Sequence, residues 1–142
     1  MNISKLLNLN FQARFIGKDY AKVKNMSIDN GLSLEDAKNA EDRIHKAFPK
    51  YTDKLEIKSK YNRHNGTTTL NVTVIKPDKA LGKGWYKPVL ERDFTFETKN
   101  DEQVKNLFLN LADKIEEIKE IYLENVRKKI FDDGLKPYSD KN

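Results

Sequence analysis

The stretch Glu56-Ile57-Lys58-Ser59-Lys60-Tyr61-Asn62-Arg63-His64-Asn65-Gly66-Thr67-Thr68-Thr69-Leu70-Asn71-Val72-Thr73-Val74-Ile75 reads as two extended segments folded back on one another. With Asn65-Gly66 in the two turn positions, His64 faces Thr67 and paired residue numbers sum to 131. Tyr61 then faces Leu70, Ser59 faces Val72 and Ile57 faces Val74, all on one face. Lys60 with Asn71, Lys58 with Thr73, and Glu56 with Ile75 fall on the other. A slip of one residue would send the apolar set to the wrong side, so the alternation specifies a hairpin over 54–62 and 67–76.

Other elements arrange themselves around this hairpin. Lys76-Pro77 closes its second strand and opens a loop to Pro88. Residues 89–98 resume extended structure, with Phe94 and Phe96 inward and Glu91, Asp93, Thr95 and Glu97 outward. Upstream, residues 8–16 alternate, Leu9, Phe11, Ala13 and Phe15 sharing one face of a further strand. Between 20 and 31, Tyr20, Val23, Met26 and Ile28 fit either a second strand or a packed loop. A helix is expected from Leu34 to Phe48: Ser33 suits its N-cap, Glu35 and Asp36 suit the positive end of its dipole, and Pro49 stops it. Leu34, Ala37, Ala40, Ile44, Ala47 and Phe48 form its apolar stripe.

A long final helix starts near Asp101, capped by Asn100, with Val104, Phe108, Leu111, Ile115, Ile118 and Tyr122 at spacings of three and four. Asp132-Asp133-Gly134 is expected to end it. Thirty such residues span ~45 Å, whereas a chain of this length has a radius of gyration of ~14–15 Å. The helix should therefore project, or pack its last turns on the N-terminal segment or a partner chain. The expected fold is α+β: an antiparallel sheet of about four strands with a central hairpin, one short helix and one long C-terminal helix packed on one face. A single domain is expected over 1–134, with a flexible tail over 135–142.

Composition narrows the function. The chain has 142 residues, 37% hydrophobic and 35% charged, enough for one core of modest size. No run of 18 apolar residues occurs, so no transmembrane helix is expected. Met1 to Leu7 lack a continuous apolar h-region, which points to a cytoplasmic protein without a secretory signal. Cysteine is absent, which excludes disulfides, thiolate metal sites and cysteine catalysis. Residues 1–90 carry a net charge of +8 and residues 91–142 a net charge of −3, a polarity able to steer the molecule toward a polyanion. The competing explanation is compositional: 22 lysines against 5 arginines, with 14 asparagines, is what AT-rich coding produces in any protein.

The segment Lys76-Pro77-Asp78-Lys79-Ala80-Leu81-Gly82-Lys83-Gly84-Trp85-Tyr86-Lys87-Pro88 is the most suggestive. Its lysines neutralise phosphates, its glycines allow close backbone approach, and Trp85 and Tyr86 offer faces on which bases stack. The competing reading has Trp85 and Tyr86 plugging the edge of the core. A second candidate is the basic edge of the hairpin, Lys54, Lys58, Lys60 and Arg63. Across the next two strands, Thr69, Asn71 and Thr73 and then Glu91, Asp93 and Glu97 grade that face from basic through neutral to acidic. Glu91 and Asp93 with Glu97 also offer carboxylates to a magnesium ion, but three acids on an outward strand face are more often ordinary surface. His45 and His64 complete no triad or metal-ligand spacing. Neither a catalytic site, a metal nor a cofactor is expected.

The order strand (8–16), helix (34–48), three strands (54–62, 67–76, 89–98) and long helix (101–131) resembles the ribosome hibernation-promoting factors. These are related in architecture to double-stranded RNA-binding domains. The resemblance is one of topology; within 105–129 the run Lys105-Asn-Leu-Phe-Leu-Asn-Leu-Ala-Asp-Lys-Ile-Glu-Glu-Ile-Lys119 is loosely similar to a hibernation factor's last helix. It implies helices on one face of an antiparallel sheet and binding of structured RNA through basic residues. The last helix here opens Asn100-Asp101-Glu102-Gln103 where RNA-binding domains carry lysines, so no functional residue is carried over.

The function expected is a non-enzymatic, basic binding protein that contacts nucleic acid or a nucleoprotein through Lys54, Lys58, Lys60, Arg63, Lys79, Lys83, Trp85, Tyr86 and Lys87. The alternative is a phage- or mobile-element-encoded, anti-CRISPR-like inhibitor that binds a host defence nuclease. A third arrangement is a homodimer through the projecting C-terminal helix.

Overall fold

The computed structural model describes residues 15–16, 18–48, 54–78, 80, 82 and 85–141. Strand β2 (Lys54–Asn62) pairs antiparallel with β3 (Thr67–Pro77), and β3 with β4 (Tyr86–Glu97). Strand β1 (Phe15–Ile16) lies parallel to β2 at Leu55 and Glu56, giving the order β1-β2-β3-β4. Three strands are thus antiparallel as expected and the short first one is not. Residues 8–14 of the expected first strand lie outside the described residues.

The hairpin register differs from the sequence expectation by two. Ile57 faces Val72, Ser59 faces Leu70 and Tyr61 faces Thr68, so the paired numbers sum to 129. The loop is Arg63 to Gly66, closed by the Gly66 N–H donating to the Asn62 carbonyl at 2.8 Å. A two-residue Asn-Gly turn needs positive φ at both residues. Here Gly66 alone adopts it (φ 64°), while the Asn62 side chain accepts from the His64 N–H at 3.0 Å and starts a longer turn. Because the shift is even, every side chain keeps its expected face.

The described residues also form four helices: α1 (Asp19–Asp29), α2 (Leu34–Ala47), α3 (Asp101–Lys105) and α4 (Leu107–Lys141). Helix α1 replaces the strand or loop considered for 20–31; Tyr20, Val23 and Ser27 recur at helical spacing and are all buried. Its Asp19 carboxylate accepts the Ser59 N–H at 2.7 Å, fastening it to the exposed edge of β2. In α2, Ser33 caps through the Asp36 N–H at 3.0 Å and Ala37, Ala40, Ile44 and Ala47 face the core. Leu34, assigned to that stripe from spacing, is instead 74% exposed, at the first position of the helix.

The expected single C-terminal helix is broken at Asn106. The cause is Ser27, fully buried in α1. Its hydroxyl donates to the Val104 carbonyl at 2.9 Å and accepts from the Phe108 N–H at 2.9 Å. Those two groups are an i, i+4 pair that would otherwise bond each other, so the hydroxyl is spliced into the helical ladder. At its other end α4 runs through Asp132-Asp133-Gly134, where a stop was expected, to Lys141.

One sheet face carries Leu55, Ile57, Leu70, Val72, Val74 and Leu90, buried against Ile44, Phe108, Leu111, Ile115 and Ile118 of the helices. Arg43 of α2 donates to Asp113 at 2.6 Å and also to Glu116 of α4, and these bonds, Glu116 first, raise its pKa above the ordinary arginine value. No described helix covers the opposite sheet face, the open face of the sheet. Beyond Tyr122 helix α4 leaves the core, and Ile130 and Phe131 are exposed. Among the described residues, no helix is long and apolar enough to cross a membrane.

Candidate nucleic-acid interface

The antiparallel register decides which candidate residues can act together. Lys54, Lys58 and Lys60 occupy alternate positions of β2 and share the open face with Glu56. Lys58 is held by Glu56 at 3.3 Å, whereas Lys60 and Arg63 have no acidic partner among the described residues. Nine residues at ~3.3 Å each separate Lys54 from Arg63 by roughly 30 Å, so the expected basic edge is a line and not a cluster.

Lys58, Asn71 and Asp93 lie in one cross-strand row, and Glu56, Thr73 and Glu91 in the next. The expected grading from basic to acidic is therefore built into the register. Asn71 fixes it: its amide donates to Asp93 at 2.7 Å and Glu91 at 3.1 Å, and its carbonyl accepts from Thr73 at 2.9 Å. These bonds hold the acids as hydrogen-bonded surface, and no group of three metal-binding side chains occurs among the described residues. Lys58, Asn71, Ile75, Tyr86 and Pro88 line a shallow basin of about 670 Å³ on this face.

The end of the β3–β4 hairpin is different. It extends past the start of β2, since Lys54 pairs Ile75 while β3 and β4 continue through Lys76↔Lys87 and Pro77↔Tyr86. The Asp78 N–H donates to the Trp85 carbonyl at 2.8 Å, carrying the ladder one step further, and the Trp85 N–H donates to Gly82 at 3.3 Å. Trp85 is 61% exposed, which overturns its reading as a core plug. Tyr86 is half-buried, and the Lys54 ammonium lies 4.4 Å from its ring centroid. Adjacent strand residues point to opposite faces, so Trp85 and Tyr86 do not form one stacking surface.

Lys87 is exposed directly opposite Lys76, whose ammonium lies 5.4 Å from the Tyr122 ring. Like charges facing each other across two strands destabilise the pairing. Lys76 was part of the suggestive segment but not of the residues singled out; its equal offset from the loop, opposite Lys87, is the signal that marks it. Asp78 is the one acid between 76 and 87, and its carboxylate accepts the Ala80 N–H at 3.1 Å. Lys79 and Lys83 lie outside the described residues.

The structure thus gathers Lys54, Lys76, Trp85, Tyr86 and Lys87 at one end of the sheet, with Lys58 adjoining, and leaves Lys60 and Arg63 toward the other. Comparison with protein-family models, curated proteins and solved structures finds no match for the chain.

Proposed function

We propose that this is a non-catalytic protein that binds nucleic acid, free or within a nucleoprotein, through the end of the β3–β4 hairpin. The observation that carries the reading is the lone tryptophan held 61% exposed beside Lys76 and Lys87, in a segment 76–87 that carries four lysines and one acid. Lysines supply charge for phosphates without the bidentate base contacts that arginine makes, so affinity is electrostatic with little sequence readout. Binding of RNA and DNA across a salt series tests it. Affinity should fall steeply from low to physiological salt; absent binding at low salt, or a flat response, removes the proposal.

A second reading, an inhibitor that docks on a nuclease, is favoured by β4. This twelve-residue terminal strand carries Glu91, Asp93 and Glu97 on the open face, complementary to the basic surface with which a nuclease holds its substrate. Retention of one protein from a bacterial lysate after nucleic acid is digested would favour it over the first.

A further inference from the structure

We infer that the hairpin end takes single-stranded, not duplex, nucleic acid, with an unpaired base stacked on Trp85; this rests on the nucleic-acid reading above. The indole is held outward by backbone bonds on both sides, from Asp78 to its carbonyl and from its N–H to Gly82. Gly82 lies against the ring edge, where a Cβ would stand in ordinary contact 3.5 Å from the indole Cδ1, and it is the positive φ of 110° that favours glycine there. Tyr86 offers no equal surface, because Lys54 already covers its ring. Among the described residues of this end, Trp85 is the remaining aromatic platform.

A base inside a duplex is paired and stacked on both faces, so an indole on a projecting hairpin reaches a base only where the strand is unpaired. The cations agree. Lys87 is exposed on the face that Trp85 shares, opposite Lys76, and offers charge to one backbone beside the ring, while Lys54 lies with Tyr86 on the open face.

The experiment uses the full chain and its single tryptophan as reporter. Single strands of DNA and RNA of about a dozen nucleotides, a length within the span one such module covers, and the matching duplexes are titrated at low salt. Indole emission and the anisotropy of a labelled strand are followed together. The expected result is quenched emission on either single strand, with the duplexes at least tenfold weaker. Trp85→Ala should lose about tenfold or more for single strands and little for duplexes. Because Trp85 is exposed, the variant's thermal melt should match the parent's. Lys87→Ala should reduce the salt dependence for single strands by less than one unit of logarithmic slope. Equal or tighter duplex binding, or single-strand binding that leaves indole emission unchanged, overturns this inference while the nucleic-acid reading stands. Binding of neither form overturns both.

Discussion

Ser27 shows how much one hydroxyl can decide. It is buried among apolar residues, yet both of its hydrogen-bonding roles are filled by the backbone groups of Val104 and Phe108. In Ser27→Ala those groups either remain unpaired in the core or close on each other and straighten the helix, shifting the packing of Phe108. A buried polar group left unsatisfied costs ~1–3 kcal/mol, so the variant should unfold at lower urea concentration by that amount. Trp85→Ala is the contrasting case. A 61%-exposed side chain outside the core should change stability by no more than ~0.5 kcal/mol in the same measurement. None of this was legible in the sequence: Ser27 looks like any polar residue, and its partners lie 77 and 81 positions away. Trp85 was equally compatible with core and surface, because a lone tryptophan has no periodicity to read.

At the scale of elements, alternation made β2, β3 and β4 legible and assigned their faces. The loop between β2 and β3 was misjudged because Asn62, nominally the last strand residue, uses its side chain to begin the turn. Gly66 carries that turn. A Cβ there would stand 2.6 Å from Lys99 Cγ, in a left-handed backbone that other residues adopt at a cost. Since the lysine side chain can move aside, the backbone term dominates, and Gly66→Ala should destabilise by ~1 kcal/mol or more in chemical denaturation. Helix α1 was missed because its buried side is short and includes a serine, leaving three positions too mixed to distinguish from a strand.

The link between α2 and α4 was also invisible in sequence, since Arg43 lies 70 and 73 residues from its carboxylates. All three side chains are at least two-fifths exposed, so Arg43→Ala should cost no more than ~1 kcal/mol. The sign of its pH dependence follows from the raised arginine pKa. The stabilisation is complete below the unfolded value and is lost only as pH rises through the folded one. On the arginine side, the difference in thermal midpoint between Arg43→Ala and the parent should thus stay constant through neutral and mildly alkaline pH.

Over the whole molecule, the split between a basic front and an acidic back was readable from residue order alone, but its spatial form was not. Among the described residues, the lysines of β2 and of the hairpin end do not gather into one patch: the register draws some out along β2 and collects others at the hairpin end. The acids of β4 lie two strands from the lysines of β2, roughly 10 Å away, so they limit where a polyanion can rest. Glu91→Gln with Asp93→Asn keeps acceptors for the Asn71 amide while removing two charges. The double variant should bind nucleic acid more tightly at low ionic strength, and the gain should shrink as salt screens the open face.

The splice in the last helix also makes a sensor of one amide. Phe108 donates its proton not within its own helix but to a side chain on α1, so deuterium can replace that proton only when the two segments part. Its exchange rate therefore times the detachment of the N-terminal helix, while the amides one turn further along, bonded within α4, report the slower opening of the body as a whole.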